Sequence, residues 1–384
     1  MAPMTPSPQL CIMVSAGEAS SDAHAAHALD ALDVDFHAFG MGAGLLEKSG
    51  TELVVDCRDL AVIGIVDVLL NYHKFLKRLR LLREEMRRRK PDLLLLVDYP
   101  DFNLKLAETA KELGIPVLFY VSPQVWAWRA GRVPRIGSLV SHMAVLFPFE
   151  VAIYEKAGIP VTYVGNPVVA DAVSAFTTQE ARKHFNLDSD APVVTLLPGS
   201  RNGEINRNLP AMLATAQIIA KREPLCQFLL PVAPTLTQSF VEQVVSINKP
   251  PKLHVVVDDS RHTMRAADTV LVASGTATLE SALVGTPMVV MYIVNRINYA
   301  IMKRLIKIPD ISLVNIVAGK RIVPEYVQDA ATPEAMAHDV LSLLQDNNRR
   351  SEMLREIDIV RQKMGDAKAS MRVAKLIRQL TNTD

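Results

Sequence analysis

Short, almost unbroken apolar runs recur along this chain, most of them closed by Gly, Pro, Asp or Ser and followed by residues of helical composition. "LCIMVSAG", "PDLLLLVDYP", "IPVLFYVS", "HMAVLF" and "PVTYVGNP" form one series. "APVVTLLPGS", "CQFLLPVA", "KLHVVVDD", "DTVLVASG" and "TPMVVMY" form a second. A strand with one wet face alternates apolar and polar residues, so runs without alternation belong to strands covered on both sides. Helical stretches between them call for parallel sheets with helices on both faces. Two series give an α/β chain of two Rossmann-like, doubly wound domains, expected at 1–170 and 171–345. The charged helical tail, 346–384, is expected to pack back on the first domain or on a partner subunit.

The chain's 384 residues are 49% apolar, enough for two cores. A net charge of +1 and 5% aromatic content argue against a general nucleic-acid binder, which needs a basic footprint and stacking platforms. Cys11, Cys57 and Cys226 are far apart, with no metal-ligand spacing, which suits a reducing cytosol and a fold without disulfides. The opening "MAPMTPSPQL" lacks the basic segment of a signal peptide. "LAVIGIVDVLL", at 60–70, contains Asp67 and falls short of the ~20 apolar residues a spanning helix requires. The expectation is a soluble chain, or one that sits on a membrane without crossing it.

Open parallel sheets bind ligands beyond the carboxyl ends of their strands, so two such sheets predict a cleft lined by strand-end loops. "VASGTATLESALVGTPMVV" places Ser274, Gly275 and Thr276 where a helix starts near Ala277. Backbone N–H groups and hydroxyls there suit a diphosphate, and Glu280 suits a ribose diol. The alternative is a capping box, although Thr276 and Glu280 are spaced by four rather than three. Neither a Walker A loop nor G-x-G-x-x-G is present, which disfavours a P-loop enzyme or a dinucleotide dehydrogenase. "LLPGSRNGEI" offers Gly199, Ser200 and Arg201 as a second anion turn, or else an ordinary strand-to-helix turn with a surface arginine. In "LLVDYPDFN", Asp98 is the better general base and Asp101 the better helix cap. "SAGEASSD" adds Glu18 and Asp22 on a facing loop. In "SPQVWAWR", Trp126 and Trp128 alternate with Val125 and Ala127, which reads as core packing on one strand face or as a sugar or acyl contact.

The stretch "HKFLKRLRLLREEMRRRK", 73–90, carries nine Lys or Arg against two Glu. Phe75, Leu79, Leu82 and Met86 recur at helical spacing, so this is a basic amphipathic helix. With "LAVIGIVDVLL" just upstream, Val66, Val68 and Leu69 with Lys77, Arg78 and Arg80 are expected to contact an anionic membrane surface. A merely solvated basic face is the alternative.

Together these motifs resemble the lipid-A-disaccharide synthases, membrane-surface glycosyltransferases of Gram-negative bacteria. The resemblance is carried by "AGEASSD", "LAVIGIVDVL", "VDYPDFN", "YVSPQVWAWR", "FPFE", "LLPGSRNGEI", "ASGTATLE", "PMVVMY" and "SLVNIVAG", in order from Ala16 to Gly319. Two departures are Ser21, where the family usually has Gly, and Asn166, where it often has His. The resemblance implies a GT-B fold needing no metal or other cofactor. It implies transfer from UDP-2,3-diacylglucosamine to 2,3-diacylglucosamine 1-phosphate (lipid X), giving a β-1,6-linked disaccharide and UDP with inversion. It also implies Asp98 as base, with Gly17, Glu18, Asp22, Ser122 and Gln124 on the acceptor side. On the nucleotide side it implies Gly199, Ser200, Arg201, Ser274, Gly275, Thr276, Glu280 and Asn315. A cytoplasmic enzyme peripheral to the inner membrane, able to form a homodimer, is the implied setting. A UDP-sugar 2-epimerase of the same fold and a non-catalytic membrane-surface adaptor are the competing readings.

Overall fold

A computed structural model describes residues 9–58, 72–127, 130–172, 176–257, 259–296, 299, 303 and 308–383. The chain divides into two compact units, 1–167 with 366–384, and 168–365. Each is built on an all-parallel sheet covered by helices.

In the first unit the strands are β1 (Leu10–Ala16), β2 (Phe36–Gly42), β3 (Glu52–Asp56), β4 (Leu93–Val97), β5 (Val117–Tyr120), β6 (His142–Val145) and β7 (Val161–Tyr163). They lie in the order β3-β2-β1-β4-β5-β6-β7. The absence of alternation now has its structural cause. Met13, Leu94, Leu96 and Phe119 enter the core on one face, while Ile12, Val14, Leu93 and Leu95 enter the core on the other. Successive side chains point to opposite faces, and both faces are dry.

The second unit carries β8 (Val193–Leu197), β9 (Gln227–Val232), β10 (Leu253–Val257), β11 (Thr269–Ala273), β12 (Met288–Tyr292) and β13 (Glu325–Val327). Their order is β10-β9-β8-β11-β12-β13. In both sheets the chain therefore winds outward from a central pair, β1 beside β4 and β8 beside β11. Loops leaving such a pair diverge to opposite faces and open a crevice at the strand ends.

The expected tail at 346–384 is not one piece. Helix Asn347–Met364 belongs to the second unit, with Met353, Ile357, Val360 and Met364 buried. Helix Ala369–Thr381 belongs to the first, where Val373, Leu376 and Ile377 close the core face shared by Ile12 and Val14. The chain changes unit at Pro167/Val168 and returns at Gly365/Asp366. "SPQVWAWR" also departs from the strand reading, because residues 125–127 form a turn. Val121 has φ 65° and Pro123 follows, so the ladder cannot continue. Trp126 is half-buried, edge-on to Phe149 with ring centroids 5.3 Å apart; Trp128 lies outside the described residues.

Candidate active site

In the first unit, Ala16 pairs with Val97 at the ends of β1 and β4, so the "SAGE" and "VDYPD" loops leave side by side. The chain turns sharply after Val97. Asp98 and Tyr99 both adopt left-handed backbone, φ 50° and 46°, and Pro100 opens the helix Pro100–Glu112. Two non-glycine residues held there cost about 1–3 kcal/mol each, a strain typical of functional turns. The Tyr99 ring lies on Gly17, where a Cβ would stand 2.5 Å from Tyr99 Cδ1. Only glycine fits.

Asp98 is half-buried, and its carboxyl is pushed above the ordinary Asp range by burial and then by the neighbouring charge of Glu18. Glu18 is exposed and does not use its side chain to cap the helix Ala19–Asp30 that it precedes. These two carboxyl groups from adjacent loops are close enough for the charge of Glu18 to act on Asp98. Asp101 differs from both in having a cationic partner: its Oδ1 accepts from Arg132 Nη2 at 2.6 Å. It is not the helix cap, since Tyr99 holds that position.

Asp22, expected on the acceptor side, is engaged by the fold itself. It is 2% exposed, and its carboxylate accepts from the backbone N–H groups of Ala43, Leu45 and Leu46 at 2.5, 2.9 and 3.4 Å. Its charge is spent capping the short helix Gly44–Lys48. Ser21, where the family has Gly, is buried in a helix that tolerates it, though its hydroxyl has no partner.

Ser122 is buried, with Oγ 2.7 Å from the Tyr154 hydroxyl, while Gln124 is exposed beside it. Beneath this loop lies Glu150, 2% exposed, which accepts from Phe147 N at 3.0 Å. Burial pushes its carboxyl up to about 7, offset by hydrogen bonds that include Ser122. "FPFE" gives this residue away only as a helix-start glutamate; its packing against Ser122 arises from tertiary contacts.

In the second unit, the turn after β8 is built tightly. Gly199 has φ 119°, and a Cβ there would lie 2.4 Å from Glu204 Oε2. That carboxylate accepts from Ser200 N at 2.9 Å and Arg201 N at 3.2 Å. The N–H groups expected to greet an anion are thus already engaged by the chain's own glutamate. The Arg201 guanidinium points outward, its side chain 81% exposed with Nη1 3.3 Å from Glu204 Oε1. Arg207 joins it: its guanidinium folds back over Gly203, and both arginines act electrostatically on Tyr292 at the end of β12.

After β11, the helix Thr276–Val284 starts one residue earlier than expected, with Gly275 as N-cap and no side-chain cap. Glu280 therefore stands beyond the first turn and is not the capping-box residue. Ser274 is fixed by its hydroxyl, which donates to Ile311 O at 2.9 Å, while Gly275 and Thr276 are exposed. The loop receiving Ser274 is itself held by Glu325, which accepts from Ile311 N at 2.8 Å and Ser312 N at 3.0 Å.

Asn315, expected on the nucleotide side, is fully buried; its Oδ1 accepts from Ile322 N and Val323 N, and its Nδ2 donates to Val323 O and Glu325 Oε1. Its amide is engaged by the loop it positions. Asn208 does equivalent work: Nδ2 donates to Pro198 O at 2.9 Å and Oδ1 accepts from Ile293 N at 3.1 Å. Neither Asn208 nor Glu325 stands out in the sequence, because their partners are distant in the chain.

The basic helix spans Tyr72–Arg89, with Leu79, Leu82 and Met86 buried and Phe75 edge-on to Phe102 at 5.0 Å. Its later cations are paired: Arg83 with Glu108, Arg87 with Glu112, and Arg89 with Glu52 and Glu85. Lys77 and Arg80 are exposed at the earlier end. Lys74, Lys77 and Arg78 line a surface pocket of about 320 Å³ together with Val54, Asp56 and Leu81. Val66, Val68 and Leu69 lie outside the described residues. Among the described residues no helix is long and apolar enough to cross a membrane.

The chain matches the family described as lipid-A-disaccharide synthetase over residues 12–379. The lipid-A-disaccharide synthase of Geobacter metallireducens is 42% identical over 383 residues, 98% of this chain and 99% of that one. That of Nitrosococcus oceani is 42% identical over 370 residues, 95% of each. Among solved structures, the calicheamicin glycosyltransferase CalG4 superposes with TM-score 0.63 at 14% identity, over 98% of this chain and 99% of that one. A Neisseria meningitidis UDP-GlcNAc 2-epimerase bound to UDP-GlcNAc gives TM-score 0.61 at 12% identity, over 98% and 100%. Likeness at such identity shows the fold alone, which glycosyltransferase and epimerase share. Sheet order, loop motifs and near-full-length identity agree: the chain belongs to the lipid-A-disaccharide synthase family, and it is a hexosyltransferase of GT-B fold.

Proposed function

We propose that the enzyme transfers a 2,3-diacylglucosaminyl group from its UDP conjugate to the 6-hydroxyl of 2,3-diacylglucosamine 1-phosphate, with inversion. The observation that carries this reading is Asp98: a half-buried carboxyl in a strained turn at the switch point, with its pKa raised by burial and by the neighbouring Glu18. In the step, the acceptor O6 attacks C1 of the donor as Asp98 takes its proton. The O6–C1 bond forms, the C1–oxygen bond to the diphosphate breaks, and UDP departs with the electron pair. Charge growing on the diphosphate is met by the uncapped start of helix Thr276–Val284 and by the exposed Arg201. Glu280 serves the ribose. The Ser122 and Gln124 loop serves the acceptor, with Gly17 allowing the close approach of the two catalytic loops.

The same proposal places the enzyme at the cytoplasmic face of the inner membrane, its early basic helix against anionic lipid. The test is UDP release from the acylated donor, followed with and without the acylated sugar phosphate. Release is expected only with both, and Arg201→Ala is expected to slow it by ~10²-fold or more. Acceptor-independent release, or epimerised donor as product, overturns the reading.

A further inference from the structure

Asn103 is fully buried four residues into the helix that carries the Asp98 turn. An asparagine is a poor choice for a helix interior, since its amide competes with the backbone. Here every bond it makes leads to the switch point. Its Nδ2 donates to Asp98 O at 2.7 Å and lies 3.3 Å from both Val97 O and Ser15 O. Its Oδ1 accepts from Ser15 Oγ at 2.7 Å, and Ser15 is itself fully buried. Its backbone N–H donates to Tyr99 O at 3.0 Å. One side chain therefore ties the end of β1 to the end of β4 and grips the carbonyl of the strained residue.

We propose that Asn103, held by Ser15, is the positioning residue that locks the left-handed Asp98–Tyr99 turn and so fixes the direction of the Asp98 carboxylate. Without the Asn103 amide, the carbonyls of Val97 and Asp98 lose a donor, and the turn is left with the backbone bonds from Asp98 N to Tyr120 O and from Phe102 N and Asn103 N to Tyr99 O. A relaxed Asp98 moves away from Glu18 and toward water. Among the described residues, the charged groups acting on this turn are Glu18 on the neighbouring loop, Asp101 on the helix, and Arg78 of the basic helix, which acts on Tyr99. The inference rests on Asp98 being the base.

The test compares wild type, Asn103→Ala, Ser15→Ala and Asp98→Asn in neutral detergent, with the acylated donor and acceptor. Turnover, both KM values, the pH profile of turnover and calorimetric UDP affinity are measured for each. Asn103→Ala is expected to lose roughly 10- to 100-fold in kcat, as misplacement of a reacting group does. KM and UDP affinity stay within about twofold, and the acidic limb of the profile moves to lower pH as Asp98 becomes better solvated. Ser15→Ala gives a smaller change in the same direction, and decides the matter if Asn103→Ala does not fold. Loss of kcat in proportion to the UDP-binding fraction, with the limb in place, shows a structural role only and overturns the proposal; so do wild-type kcat and limb. If Asp98→Asn retains wild-type turnover, the base assignment itself fails. An inactive Asp98→Asn beside a normal Asn103→Ala isolates the failure to the positioning role.

Discussion

Asp98, Glu18 and Asp101 carry the same functional group within a few residues of one turn, yet their surroundings give them different work. Asp101 is neutralised by Arg132, Glu18 is solvated, and Asp98 is desolvated beside Glu18. A base must be ionised, so activity is lost as pH falls through its pKa. With that pKa raised in the folded enzyme, the acidic limb is expected above the ~3.9 of an ordinary Asp. Glu18→Gln removes the neighbouring negative charge and is expected to move the limb downward. Asp98→Asn is expected to cost ~10²–10⁴-fold in turnover with UDP affinity retained, while Asp101→Asn keeps most activity. Linkage gives a second readout. A carboxyl whose folded pKa is raised stabilises fully only below its unfolded pKa and loses that contribution as pH rises through the folded value. At neutral pH Asp98→Asn should therefore melt at or above wild type; melting well below it would show that the carboxylate is structural.

At the scale of elements, the strand-end loops carry the candidate site while the strands supply the core. Three of them are tied by fully buried asparagines, Asn103, Asn208 and Asn315, each bonding backbone groups. A buried amide satisfying carbonyls and N–H groups of an irregular loop removes a desolvation penalty of about 1–3 kcal/mol per group otherwise left unpaired. The basic helix also divides along its length. Its later cations bind carboxylates of the fold, while Lys77 and Arg80 at its earlier end are exposed, Arg80 with Glu84 at 4.0 Å. Replacing Lys77, Arg78 and Arg80 with Ser is expected to weaken sedimentation with anionic vesicles, at about 1 kcal/mol per cation and most strongly at low salt. Replacing Arg87 and Arg88 should matter less. Equal effects from both sets, or binding indifferent to salt, would remove membrane contact from this helix.

Across the whole molecule, the two units are joined by chain that passes at 167/168 and returns at 365/366. The return has an energetic reason. Without helix Ala369–Thr381, one face of the first sheet would expose the apolar side chains that Val373, Leu376 and Ile377 cover. Ile377→Ala removes a fully buried side chain and is expected to cost about 2–5 kcal/mol, read as a fall in melting temperature. Ile359, 45% exposed on the preceding helix, is the control: Ile359→Ala should stay within about 0.5 kcal/mol. Equal shifts would mean that the last helix contributes little to the first unit.

The sequence by itself determined the fold class, because unbroken apolar strands separated by helices admit few arrangements other than parallel sheets covered on both faces. It also exposed the site's loops, since Gly, Pro and charged residues at strand ends interrupt an otherwise apolar pattern. What it left undetermined was which of several similar polar residues meets a ligand. Asp22 and Asn315 carry the right chemistry at the right loops, and only tertiary structure shows their valences consumed by backbone groups 21 to 24 and 7 to 8 residues away. The turn at "PGSR" looked like an open anion site until Glu204 was seen to fill it. Tail residues 346–384 read as helical in sequence, but their burial partners lie in different units. Patterning reports whether a side chain prefers water or a core, a property of the residue. Whether its polar atoms are free is a property of its neighbours, and these are brought together only by the folded chain.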